Sequence, residues 1–180
     1  MPNESDAFKR VLGLVGRNAS RRSVLELVNS DDWRCVSDRT SSDPFELVYR
    51  APLFVPDERD GFDYLLRFWW EFGKEGSFRL PTEAEASIID SYTEVMRRRL
   101  TGRGRPLLLC GLSSDGMHQW LIAAKDSFSA QLEVIDVMGE AADAIKKSGR
   151  TVPAILTASA LNERWPDVLE VQKVIERFGP

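Results

Sequence analysis

One histidine and two cysteines are all that 180 residues supply of the common soft metal ligands. A structural zinc site takes about four Cys or His ligands at short spacings. Cys35 and Cys110 belong to no CxxC pair, so no metal site is expected. The same scarcity leaves little for a disulfide framework; unbridged thiols fit a reducing compartment. Long apolar runs are missing as well, since no stretch approaches the ~18 residues of a membrane helix. The opening MPNESDAFKR lacks a basic region followed by an apolar run, so no secretory leader is expected. These absences predict a soluble, cytoplasmic protein with no membrane partner. Also missing are G-x-x-x-x-G-K-[ST], a G-x-G-x-x-G after a strand, and H-E-x-x-H. No cofactor is expected, and no catalytic residue is assigned.

What is present is ordinary for a folded chain. Apolar residues make up 43% and charged residues 29%, which excludes a disordered or low-complexity polymer. The net charge of −4 argues against a dedicated nucleic-acid binder and suits a basic partner. The length fits one core. Residues 1–30 read as an N-terminal helical segment and 31–180 as a single α+β domain.

Within the first segment, Phe8, Val11, Leu12 and Val15 follow i, i+3, i+4, i+7, one face of a helix. A second helix is predicted from Ser23, with Glu26 closing a capping box and Val24, Leu25 and Val28 as its apolar face. Strands are predicted at 33–36, at 45–51 by alternation, and at 64–72. In the last, Tyr64, Leu66, Phe68, Trp70 and Phe72 share the core face. Thr82 with Glu85 opens a helix whose stripe is Ile88, Ile89, Tyr92, Val95, Met96 and Leu100. An apolar strand follows to Ser113, then the Asp115-Gly116 hairpin turn and its partner strand, 117–124. A helix over about 129–148 would bury Leu132, Ile135, Met138, Ala142 and Ile145. A strand at 151–159 and a helix from Pro166, with Val168, Val171, Ile175 and Phe178 inward, complete the chain. From Tyr64 the order is β-α-β-β-α-β, the ferredoxin-like pattern. The expected architecture is therefore a ferredoxin-like βαββαβ core with extra N-terminal helices and strands and a C-terminal helix. Residues 45–52 and 64–72 could pair as an antiparallel meander, or the early strands could extend an edge.

Two charged poles stand out. Residues 94–105 hold five arginines (97, 98, 99, 103 and 105) against Glu94. Acid at the start of that helix and base at its end is what the helix dipole favours, so the arginines need no nucleic acid. The loop 57–63 sets Asp57, Glu58, Asp60 and Asp63 against Arg59. It lacks EF-hand spacing and has no local explanation, which makes it a candidate docking surface for a basic protein. Trp69 shares a strand face with Arg67 and Glu71; under the N-terminal helices it is core, and uncovered it is an anchor. Asp57, Glu58, Asp60, Asp63, Trp69 and Glu71 are thus the candidate partner-binding residues. His118 lies on the side of Trp120 and Ile122 and reads as structural.

From about Asp32 onward the chain resembles a bacterial family, domain of unknown function 695. The similarity is carried by Leu80-Pro81-Thr82-Glu83, by Ser114-Asp115-Gly116, by the strand His118 to Asp126, and by Arg164-Trp165-Pro166 through Phe178-Gly179-Pro180. It departs from that family at Ile122 and Ala124, where aromatic residues are usual. The family resembles the ribonuclease E regulator B fold, an α+β protein inhibitor, and some relatives look like toxin-immunity proteins. The resemblance implies a non-enzymatic inhibitor that neutralises a basic bacterial toxin by direct binding. The alternatives are a regulator of RNA metabolism, acting on a ribonuclease or on RNA, and an enzyme whose site the sequence does not display. A polar pocket at His118 with convergent carboxylates would favour the enzyme.

Overall fold

The computed structural model describes residues 22–54, 56–73, 79–102, 104–161 and 166–178. The helix predicted over 6–16 lies outside them. Among the described residues the elements are α1 (Val24–Asn29), β1 (Trp33–Asp38), β2 (Phe45–Arg50), β3 (Tyr64–Glu71), α2 (Glu83–Arg99), β4 (Leu107–Ser114), β5 (Met117–Ala124), α3 (Ser127–Lys147), β6 (Leu156–Leu161) and α4 (Pro166–Phe178).

Local signals place most boundaries. Ser23 and Glu26 form the capping box of α1, and Thr82 and Glu85 that of α2. Each cap satisfies backbone N–H groups that the helix itself cannot, an effect of about 1 kcal/mol. Asp115 and Gly116 both have positive φ, 52° and 72°, as a two-residue hairpin turn requires. The helix predicted from 129 starts at Ser127 because Asp126 caps it, its carboxylate accepting from the Ser129 N–H at 2.7 Å. The strand predicted over 151–159 begins only at Leu156.

The strands form one six-stranded sheet in the order β1-β2-β4-β5-β3-β6, with every pairing antiparallel. The meander between β2 and β3 does not form. β2 pairs with β4, with Leu47 opposite Leu112, so β1 and β2 extend the sheet beyond β4. The fold is α+β, with helices on both faces.

Each face carries its own core. α2 and α3 cover Leu66, Phe68, Leu108, Trp120 and Ile122. Trp120 is fully buried, a contribution on the order of 4–6 kcal/mol at ~25 cal/mol per Å², and its Nε1 donates to Thr93 Oγ1 of α2 at 2.9 Å. On the other face α1 and α4 cover Leu47, Tyr49, Leu65, Leu109 and Leu121. The α1 face differs from the predicted one: Val24 and Leu27 are buried, while Leu25 is half-exposed. Phe178 is 40% exposed rather than inward, its ring edge resting on Phe45 at 5.1 Å.

The largest departure is in α3. Its buried side is Ala130, Val134, Val137, Met138, Ala141 and Ile145. The predicted core residues Leu132 and Ile135 are 54% and 52% exposed, and Phe128 on the same side is 72% exposed. The helix has two apolar rows on roughly opposite sides. Periodicity registers both and cannot say which one meets the sheet. No helix among the described residues is long and apolar enough to cross a membrane.

Candidate functional site

Because β1 and β2 carry the sheet past α2, a cavity of about 450 Å³ lies between that helix and the floor of β2, β4 and β5. Glu46 and Ser113, opposite one another across β2 and β4, and His118 of β5 line its floor. Asp90, Glu94 and Arg97 of α2 line its wall. The hairpin register pairs Ser113 with His118. Their side chains meet, Ser113 Oγ lying 2.7 Å from His118 Nδ1. The imidazole rests edge-on against Trp120 at 4.5 Å. Its other nitrogen, Nε2, is buried without a hydrogen-bond partner. Burial lowers the His118 pKa from 6.5 to about 3, so the ring is neutral at any physiological pH.

The carboxylates are not equivalent. Burial, then the neighbouring Glu46, pushes Asp90 above its ordinary value. Glu46 is held by the Arg39 guanidinium, and Glu94 lies 3.8 Å from Arg97. Trp33 stands beside the cavity wall, with the guanidinium carbons of Arg97 and Arg50 each 4.8 Å from its ring centroid. Arg50 is 1% exposed. It donates to the carbonyls of Leu108 and Ser30, and its Nη2 is unpartnered. Alternation in β2 placed Arg50 opposite the buried residues; covering of both sheet faces overrides that pattern. Sequence reasoning missed Ser113, Glu46 and Asp90 as neighbours of His118. The two-residue Asp115-Gly116 turn carried one usable signal, since it fixes Ser113 opposite His118. Nothing local signalled Glu46 or Asp90.

The six predicted partner-binding residues fall into two groups. Asp57, Glu58, Asp60 and Asp63 are exposed on the loop before β3. This loop is tied to the start of α1: Asp57 accepts from the Arg22 N–H at 3.1 Å, Asp60 from Ser23 Oγ at 2.5 Å, and the Glu58 carbonyl from the Val24 N–H at 2.9 Å. Two of its acids therefore have a local structural use that the sequence did not reveal. Trp69 and Glu71 lie toward the opposite end of β3, with Trp69 about 17 Å along the strand from Tyr64 at ~3.3 Å per residue. Trp69 is half-buried, neither core nor fully uncovered. Its Nε1 donates to Glu71 Oε1 at 3.2 Å, and Arg67 lies 5.0 Å from its ring. The two groups are not neighbours. The loop is instead near the start of α3, since Tyr64 pairs with Ala124 and the Lys125 ammonium lies 5.1 Å from the Phe62 ring.

Of the arginines ending α2, Arg97 turns to the cavity, while Arg98 and Arg99 face α3. Arg98 and Arg99 both pair with Glu140, and Arg105 lies 3.8 Å from Glu133. Neither cysteine is in a disulfide; Cys110 is buried and Cys35 exposed. No group of three or more His, Cys, Asp or Glu that could hold a metal ion occurs among the described residues. No protein-family profile, curated protein or solved structure matches this chain.

Proposed function

We propose that the chain is a non-enzymatic protein-binding inhibitor, in concrete form an immunity protein that neutralises a basic bacterial toxin in the cytoplasm by direct binding. The observation that supports this is the row Phe128, Leu132 and Ile135 along the solvent side of α3. Their spacing of i, i+4, i+7 puts three large apolar side chains in one line. Contiguous exposed apolar surface of this kind marks interaction sites on folded proteins. The acidic loop 57–63 near the start of α3 adds charge that a basic partner would meet. On this proposal that loop is the charged rim of the footprint, with Trp69 and Glu71 a separate contact.

The proposal includes a ferredoxin-like core and kinship with domain of unknown function 695 and the ribonuclease E regulator B fold. Its support is the strand order β4-β5-β3-β6, with α2 and α3 on one face and β1 and β2 appended beyond β4. The test is co-expression with the product of the neighbouring gene. Growth protection and a co-purifying complex are expected; a harmless neighbour that does not co-purify would overturn the proposal.

The cavity favours a second reading, an enzyme using Ser113 and His118, because the carboxylates of Glu46, Asp90 and Glu94 converge there. Against it, a base with a pKa of about 3 is far from the near-neutral value that general-base catalysis favours. A fluorophosphonate probe separates the two readings: no adduct at Ser113 is expected, and an adduct would favour the enzyme.

A further inference from the structure

His118 is the chain's single histidine, and it is 4% exposed. Its two ring nitrogens differ. Nδ1 lies against Ser113 Oγ, whereas Nε2 has no hydrogen-bond partner among the described residues. A buried polar atom left unpaired is costly, and a fold that keeps one calls for a reason. The Nε2 edge extends over Gly111, where a Cβ would stand 3.0 Å from it. Gly111 is itself part of the cavity floor beneath α2, so the unpaired nitrogen lies on the cavity side of the sheet.

A second unmet group stands on the wall. Glu46 is paired with Arg39, and Arg97 is engaged by Glu94 and by the Trp33 ring. Asp90 belongs to no ion pair among the described residues. Burial, then the Glu46 carboxylate, disfavours its charge, and no cation offsets this. Much of the remaining lining is apolar, with Val48, Pro81, Ala86 and Ile89. The volume of about 450 Å³ is within the range of small-molecule sites.

The lining selects a ligand by exclusion. A carboxylate or phosphate would meet three acids, with Arg97 already engaged. A bare metal ion lacks ligands, since no group of three or more His, Cys, Asp or Glu that could hold one occurs among the described residues. An ammonium supplies the counter-charge that Asp90 lacks. At Nε2 a hydroxyl serves either tautomer of the ring, because it both donates and accepts.

We propose that this cavity is a binding site for a small organic amine, with its ammonium on Asp90, an apolar body against Val48, Ala86 and Ile89, and a hydroxyl on His118 Nε2. The site is separate from the surfaces of the inhibitor reading and does not depend on it.

The test titrates tyramine, a primary amine with an apolar ring and a terminal hydroxyl, into the purified full chain. Phenethylamine lacks the hydroxyl, and tyrosol has a neutral group in place of the ammonium. Tyramine should bind with Kd of about 1 mM or tighter and shift the backbone amides of Asp90 and Gly111. Phenethylamine should bind about threefold to tenfold more weakly, and tyrosol about tenfold or more. With one histidine in the chain, the ring nitrogen signals report on His118 alone; they should move with tyramine and stay with phenethylamine. Asp90→Asn keeps the size of the side chain and should bring tyramine down to the level of tyrosol. Ala86→Leu should abolish binding of all three by filling the cavity, and its Tm checks that the fold is kept. No saturable shift with tyramine, equal binding of tyrosol, shifts confined to another face, or unchanged tyramine binding in Asp90→Asn would each overturn the proposal. Tyramine binding without a complex with the neighbouring gene's product would leave this site standing while the inhibitor reading falls; the reverse result would remove this site alone.

Discussion

Ser113 Oγ and His118 Nδ1 lie 2.7 Å apart, opposite one another across the β4–β5 hairpin. The pair ties the imidazole to the sheet, and burial keeps the ring neutral, which makes the fold sensitive to acid. In the unfolded chain His118 takes a proton near pH 6.5; in the fold it resists until about pH 3. Between those values the unfolded state binds more protons, so stability falls as pH falls. The slope expected from this one group is about 1.4 kcal/mol per pH unit. Glu85 also loses stability on acidification, but lower down. The Arg79 guanidinium, then its bonds from Thr82, holds it at about 2 against an ordinary 4.5. Urea unfolding between about pH 6.5 and 5.5 therefore reads His118 most directly, above the range where Glu85 contributes and where the raised Asp90 acts in the opposite sense. The double variant Ser113→Ala, His118→Leu should flatten that part of the profile, and an unchanged slope would disprove this assignment.

Gly111 is the close neighbour of the same ring. A Cβ there would stand 3.0 Å from His118 Nε2 and 3.1 Å from Cε1. The ring has little room to retreat, because Ser113 and Trp120 hold its other edges. Gly111→Ala should cost about 1–3 kcal/mol by overpacking. In a His118→Ala background the same substitution should cost clearly less, a coupling read by a double-mutant cycle. Equal costs in both backgrounds would mean that the contact does not limit this position.

The arginines at the end of α2 find partners within the fold. Arg98 lies 3.5 Å from Glu140, which also pairs with Arg99, and Arg97 approaches both Glu94 and Trp33. These are half-exposed pairs, so replacing Arg98 and Arg99 by alanine should cost below about 1 kcal/mol each. Filter binding of RNA across salt concentrations should show no salt-sensitive retention of the native protein. Retention at low salt that vanishes with Arg97→Ala and Arg98→Ala would favour the RNA-metabolism alternative.

Legibility in the sequence followed the range of the signal. The capping boxes at Ser23 and Thr82 and the Asp115-Gly116 turn depend on residues within a few positions, and each is found where the pattern puts it. The attachment of β2 to β4 spans more than sixty residues along the chain, beyond any local pattern. The face of α3 is not legible for a different reason: Leu132 and Val134 are both apolar, and only the packing of α3 against β3 and α2 decides that Val134 is inside. In β2, alternation sets Arg50 on the side of Glu46 and Val48, as if that face met water, yet Arg50 is 1% exposed because helices cover both faces of the sheet. Of the candidate site, the side on which His118 lies was legible; its carboxylate neighbours come from β2 and α2 and were not.

The central claim is that this chain works by binding one basic protein. Calorimetric titration of the purified chain with the neighbouring gene's product tests it most directly. One-to-one binding at about nanomolar Kd is expected, with the affinity falling as salt is raised. Absence of binding at any salt concentration would contradict it.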